Sequence, residues 1–246
     1  ILGRLVGSEM CIRDRNIKDV SEKSEIEIIS KAPTCDTYFT YDSKGLSFIC
    51  NADNPKNFLN VNFLTGKLGW RIKRSDHEGN LKKALGRTKE SLHIFDATAG
   101  LLADSLIFLS LGHRVVAVEQ SKIICLLVND AIHRAKNTIP FLENIKLIHG
   151  NSIDIFKKLN ACFDVVYLDP MYPVTKKNVK KSGDLDSVRS ILEIEKISPD
   201  ENILIENFIK TDYKKLILKR PLKSKKIYSN INYQVKGKTT RFDIYL

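Results

Sequence analysis

Between residues 92 and 169, short apolar runs alternate with longer stretches of helical period. LHIFDA (92–97), HRVVAVE (113–119), NIKLIHG (144–150) and FDVVYLD (163–169) read as strands. ADSLIFLSLG (103–112), SKIICLLVNDAIHRAKN (121–137) and SIDIFKKL (152–159) read as helices, with Ser121 placed to cap the second. Strands joined through helices return to one sheet by right-handed crossovers. The alternation therefore predicts an α/β fold, a mostly parallel sheet with helices on both faces. Such a sheet binds ligands outside the carboxyl ends of its strands. Those ends carry Asp96, Glu119, Asn151 with Ser152, and Asp169. A single acid past a strand says little, because loops are polar. Acids at three of four ends mark a site.

The flanks differ from this unit. KKLILK (214–219) reads as a further strand, and KIYSNINYQV with RFDIYL as a C-terminal antiparallel hairpin. Residues 34–73 read as β-rich, with hairpin turns at Asp42–Gly45 and Thr65–Lys67. LGWRIKR (68–74) is taken as a strand because Leu68, Trp70 and Ile72 alternate with polar residues. GNLKKALG (79–86) reads as a short helix ending at Gly86. The first stretch, ILGRLVGSEMCIRDR, has no periodic pattern and resembles translated sequencing-adapter DNA. The expected organisation is a non-native leader at 1–15, a small N-terminal β-rich subdomain at 16–90 and the main domain at 91–246.

Charge narrows the partner. The formal net charge is +11. Residues 171–246 hold 17 Lys+Arg against 9 Asp+Glu, so +8 of it lies in the last third. That suits a polyanion, nucleic acid before an anionic membrane surface. Five cysteines, at 11, 35, 50, 125 and 162, form no C-x-x-C pair. No metal centre or disulfide framework is expected, and a cytoplasmic, reducing location fits. No apolar run approaches the ~18 residues of a membrane span, so no membrane partner is expected.

The loop DATAGLLAD, Asp96 to Asp104, follows the first strand of the unit. Gly100 lets its backbone approach a ligand. Glu119 lies 19 residues further on, where a carboxylate can accept both hydroxyls of a ribose. A dinucleotide would need further glycines to cradle its pyrophosphate, but Leu102 and bulkier residues stand there and Asp104 would repel phosphate. S-adenosylmethionine, a sulfonium with an amino group, tolerates that acid and is the favoured cofactor.

VVYLDPMYP (165–173) then delivers Asp169, Pro170 and Tyr172 past the fourth strand. Asp-Pro-x-aromatic resembles the (D/N)-P-P-(Y/F) motif of methyltransferases acting on exocyclic amines of bases. Such an amine is a poor nucleophile, its lone pair delocalised into the ring. A carboxylate and the carbonyl of the following proline can each take an N–H and aim the lone pair. Proximity and alignment contribute up to ~7–11 kcal/mol in ideal cases. The tyrosine offers a stacking face worth roughly 1–3 kcal/mol per base.

DATAGLLAD, VVYLDPMYP, LKRP (218–221), RFDIY (241–245) and GKLGWRIKRSDHEGNLKKALG (66–86) together resemble the RsmJ family of 16S ribosomal RNA guanine-N2 methyltransferases. The resemblance covers roughly residues 45–246. It implies a Rossmann-like class I S-adenosylmethionine-dependent methyltransferase. The implied partner is 16S rRNA or the small ribosomal subunit, an assembly intermediate included. The implied cofactor contacts fall on Ala103, Asp104, Glu119, Gln120, Asn151, Ser152 and Asp169, beside Asp96 and Gly100 of the first loop. The chain departs from the family pattern in two places. Leu102-Ala103-Asp104 stands where Gly-Arg-Asp is usual, and Gln120 where an arginine is usual. Phosphate contacts are expected from Lys176, Lys177, Lys180 and Lys181 after the catalytic loop, and from Lys219 and Arg220 with Lys223, Lys225 and Lys226 beyond. Two other readings stand beside this one: the same fold acting on another RNA base such as adenine N6, and a non-catalytic RNA-binding protein with a relic cofactor pocket.

Overall fold

A computed structural model of the chain describes residues 4–6, 27–29, 31, 33–34, 36–171, 183–198, 200–226 and 228–246. Two sheets organise them. The larger has strand order β11-β12-β10-β9-β6-β7-β8. Its central strands are β6 (His93–Asp96), β7 (Arg114–Glu119), β8 (Ile145–His149), β9 (Val165–Leu168) and β10 (Leu216–Pro221), all in parallel pairs. β12 (Thr240–Tyr245) pairs antiparallel with β10 and with β11 (Tyr233–Lys236), the expected terminal hairpin. The chain runs outward from β6 through β7 to β8 and then returns to β9 on the other side of β6. That reversal opens a crevice above the carboxyl ends of β6 and β9.

β9 is buried at every position, and so are the last five residues of β7, as expected of strands covered on both faces. The helices cover them. Numbered in chain order, α1 is Gly66–Lys73, α2 Gly79–Leu85, α3 Ser105–Ser110, α4 Lys122–Ala135, α5 Ser152–Leu159, α6 Gly183–Ile194 and α7 Glu201–Ile209. Ser121 caps α4 by accepting the Ile124 N–H, a contribution of about 1 kcal/mol. Asn151 and Asp200 cap α5 and α7 in the same way.

The smaller sheet has order β2-β1-β3-β4-β5, with β1 Arg4–Val6, β2 Glu27–Ile29, β3 Tyr38–Asp42, β4 Gly45–Ile49 and β5 Phe58–Asn60. The turn between β3 and β4 is the expected one. Asp42 accepts the Lys44 N–H at 2.7 Å, and Gly45 takes a φ of 89°. Part of the stretch expected to stand outside the fold is in it: Arg4–Val6 pairs parallel with β2 and β3, and Leu5 is fully buried. One hydrophobic cluster runs through both sheets, from Phe39 and Phe48 to Ile94 and Leu127. Asp130 and Arg134 of α4 bind the small sheet, taking the Leu46 N–H at 3.0 Å and donating to the Val61 carbonyl.

The second expected hairpin does not form. Residues 66–73 are the helix α1, not a strand. A helix buries Gly69 with Leu68 and Ile72 packed on the core, and turns Trp70 to solvent. Gly69 permits this, because a Cβ there would lie 2.6 Å from the backbone carbon of Leu64. Alternation of Leu68, Trp70 and Ile72 is real in the sequence, but close backbone packing overrides it.

Candidate active site

β6 ends at Asp96, whose buried carboxylate accepts the Thr98 N–H at 3.1 Å and the Ser105 hydroxyl at 2.5 Å. Burial raises its pKa to about 7 against those two bonds, and the charges of Asp104 and Asp169 push the same way. The loop that follows turns twice through the left-handed region, at Gly100 (φ 50°) and Leu102 (φ 62°). Leu102 occupies the position where the resemblance implies glycine. Its side chain is fully buried, which holds it in a conformation costing roughly 1–2 kcal/mol for an L-residue. The loop thereby keeps its turn without the glycine.

That turn brings the Gly100 N–H to Glu119 Oε2 at 2.8 Å, while Glu119 Oε1 accepts the Ser121 N–H at 2.8 Å. Burial raises the Glu119 pKa, opposed by these backbone bonds. A carboxylate has about four acceptor sites, so both oxygens keep capacity for ribose hydroxyls. Glu119 lines a cavity of about 350 Å³ with Gln120, Asn151, Ser152 and the apolar Ile124 and Leu204. An acid facing an apolar wall suits a nucleoside, so these residues fit the adenosine part of S-adenosylmethionine. Asn151 Oδ1 is committed to the N–H groups of Ile153 and Asp154. At the start of α4, Glu195 accepts the N–H groups of Lys122 and Ile123 and the Ser121 hydroxyl.

A larger cavity, about 790 Å³, lies between the loop and α1. Thr98, Gly100, Asp169, Pro170 and Met171 line both cavities, so Asp169 stands where the two adjoin. Its N–H donates to Thr98 Oγ1 at 2.7 Å. Lys219 Nζ donates to Asp169 Oδ2 at 2.8 Å and to Asp104 Oδ2 at 2.7 Å. Asp104 also accepts the Tyr167 hydroxyl at 2.5 Å and Arg71 Nη2 at 2.6 Å. Arg71 reaches over from α1, donating as well to the Ala103 carbonyl at 2.8 Å and to Glu78 at 2.6 Å.

The two acids sharing Lys219 are driven apart. Burial pushes Asp104 up, but Lys219 and Arg71 outweigh it and hold the pKa at about 2. For Asp169 burial prevails over the attraction of Lys219, and its pKa is raised. One carboxylate is thus a fixed anion, and the other is the more basic group at the junction. Neighbouring carboxyls separated in this way mark distinct roles.

The structure gathers Asp96, Gly100, Ala103, Asp104, Asp169 and Pro170 at the larger cavity, and Gly100, Glu119, Gln120, Asn151, Ser152, Asp169 and Pro170 at the smaller. Tyr172, Lys176, Lys177, Lys180 and Lys181 lie outside the described residues. Lys219 and Arg220, expected on an RNA-facing surface, are placed elsewhere. Lys219 sits between two carboxylates, and Arg220 is buried with Nη1 3.5 Å from Glu201. Lys223, Lys225 and Lys226 are exposed. Sequence reasoning missed Arg71, Thr98, Tyr167 and Glu195. Arg71 was hidden by the strand reading of α1, and Glu195 follows a helix that was not assigned.

A seven-stranded sheet of this order, a glycine loop after β6, a ribose-type acid after β7 and Asp-Pro after β9 define a class I S-adenosylmethionine-dependent methyltransferase. The family model described as "Putative SAM-dependent methyltransferase" matches residues 21–246. Among curated relatives, the ribosomal RNA small subunit methyltransferase J of Thioalkalivibrio sulfidiphilus is 31% identical over 213 residues, 83% of this chain and 82% of the relative. That of Pseudoalteromonas translucida is 33% identical over 216 residues, 84% of this chain and 83% of the relative. The chain belongs to the ribosomal RNA small subunit methyltransferase J family. A crystal structure of a SAM-dependent methyltransferase from Neisseria gonorrhoeae shares the fold, with a TM-score of 0.74 at 24% identity over 99% of this chain and 95% of that one.

Proposed function

We propose that this chain transfers a methyl group from S-adenosylmethionine to the exocyclic N2 of a guanine in small-subunit ribosomal RNA. The observation that carries the reading is Asp169, a carboxylate of raised pKa at the junction of two cavities, anchored by Lys219. The smaller cavity is sized and lined for adenosine, and the larger is open to a base. The relatives' name supplies the RNA: they are ribosomal RNA small subunit methyltransferases.

Bound S-adenosylmethionine supplies an electrophilic methyl carbon on a sulfonium. Glu119 and the Gly100 turn hold the ribose end. Asp169 accepts an N–H of the guanine amine and turns its lone pair toward the smaller cavity. As the nitrogen takes the methyl it becomes positive, and the adjacent carboxylate stabilises that charge. The surplus proton leaves the nitrogen for Asp169, whose raised pKa makes it the better acceptor, or for water beyond it. Lys219 keeps Asp169 in place without donating to the base. The guanine must leave its stack to reach this site, at a cost of a few kcal/mol that RNA loops and single strands lower. Lys223, Lys225 and Lys226 are exposed, and each phosphate they contact adds roughly 0.7–0.9 to the salt slope of binding.

The test is methylation of small-subunit rRNA from cells lacking this activity, with the product nucleoside identified by mass spectrometry. N2-methylguanosine supports the reading. N6-methyladenosine would move the target to adenine, and no incorporation despite cofactor binding would leave an RNA-binding protein.

A further inference from the structure

α1 carries more than the Arg71 link. Lys67, Trp70 and Arg74 are spaced i, i+3 and i+7, so they share the outer face of the helix and its end. All three are exposed, and Trp70 is 62% exposed, the most exposed aromatic among the described residues. Residues 66–74 hold four basic side chains, Lys67, Arg71, Lys73 and Arg74, and no acid. The Arg74 guanidinium carbon lies 4.9 Å from the Trp70 ring centroid. Lys67 pairs with Asp184 at 3.4 Å, an exposed contact that contributes little. A shallow depression of about 720 Å³ runs along this face, lined by Gly66, Lys67, Trp70, Arg71 and Glu78. Gly66, Lys67 and Arg71 also line the larger cavity that ends at Asp169. The surface is therefore continuous with the mouth of the site. It pairs a large solvent-facing π face with flexible cations, and the carboxylates beside it, Glu78 and Asp184, are each held by a cation, Arg71 and Lys67.

Building on the proposed function, we infer that the outer face of α1 binds the single-stranded RNA flanking the target base. Trp70 stacks a neighbouring base, and Lys67, Lys73 and Arg74 contact the phosphates around it. This is the combination that holds single strands without reading their sequence: a stacking platform inside a basic track. It also gives α1 two jobs, since its inner edge fixes Asp104 through Arg71 while its outer face holds substrate.

Trp70 is the sole tryptophan, so its fluorescence reports this surface alone. Titrating the full chain with a single-stranded RNA oligonucleotide should quench it, with a midpoint that weakens as salt rises. Trp70→Ala should raise the KM for rRNA about tenfold while kcat and the Kd for S-adenosylmethionine stay within twofold, as for loss of one stacked base. Trp70→Phe, which keeps an aromatic face, should recover most of the KM. Lys67→Gln with Arg74→Gln should lower the salt slope by roughly 0.7 for each phosphate released. No quenching by RNA, with an unchanged KM in Trp70→Ala, overturns the inference and leaves rRNA methylation standing. Quenching that follows protein concentration alone, with dimers on sedimentation, overturns it in favour of a second copy. RNA quenching without rRNA methylation by the unaltered chain would sink the proposed function and keep this surface.

Discussion

Lys219 Nζ lies 2.8 Å from Asp169 Oδ2, and sheet register puts it there. β10 runs parallel to β9 with Leu218 opposite Leu168, so the next residue of each strand emerges side by side at the carboxyl edge. Asp169 is thus a half-buried carboxylate whose neighbouring cation is set in place by the sheet register.

Removing that cation leaves two adjacent carboxylates, Asp104 and Asp169, with one fewer positive charge. The pKa of Asp169 is already raised, so its ionised form is present above that value and lost as pH falls through it. Lys219→Met should move the acid limb of kcat/KM to higher pH, and Lys219→Arg should hold it nearer its place. A pH–rate profile that does not move in Lys219→Met would show that Asp169 ionisation does not limit the reaction.

Glu119 joins the cofactor loop to α4 through Gly100 and Ser121. Glu119→Ala should weaken S-adenosylmethionine binding by about 1.5–3 kcal/mol through lost charge-assisted hydrogen bonds. Calorimetry giving wild-type affinity would reject its role at the ribose.

Leu102 combines a left-handed backbone with full burial. Both Leu102→Ala and Leu102→Gly lose the buried side chain, and both should be less stable than the parent. At an ordinary position glycine would be the worse of the two. Here Leu102→Gly should melt above Leu102→Ala, by roughly 1 kcal/mol, because alanine keeps the strain that glycine lacks. The usual order in thermal melts would contradict the strain.

Asp96 has its pKa raised to about 7 from an ordinary 3.8, so between those values the folded chain binds the extra proton. Stability from this group is therefore lost as pH rises toward and past 7. Asp96→Asn removes the charge and keeps an oxygen for the Thr98 N–H. Its melting temperature should gain on the parent as pH increases from about 5 to about 8, and about 1 kcal/mol corresponds to roughly 2–4 °C for a chain of this size. Parallel curves across that range would mean that Asp96 is ionised at low cost.

The alternation of strands and helices from 92 to 169 was legible because each element carries its own period and the strand-end acids follow from it. Asp96, Glu119 and Asp169 could be named from spacing alone. Partners set by tertiary register could not. Arg71 and Asp104 are 33 residues apart, and Lys219 and Asp169 are 50 apart, each meeting across elements that are not consecutive. Lys219 and Arg220 read as surface charge because nothing local shows that β10 is central, flanked by β9 and β12. α1 misled for another reason: Leu68, Trp70 and Ile72 satisfy a strand period, while the helix is decided by how closely Gly69 packs on Leu64.

The central claim is that Asp169 acts on the amine of the base. Turnover of Asp169→Ala on small-subunit rRNA, at saturating S-adenosylmethionine, tests it most directly. Saturation separates the chemical step from any loss of cofactor affinity. Losing one preorganised electrostatic partner should reduce kcat by ~10²-fold or more. Turnover equal to that of the parent would take the acid out of the mechanism.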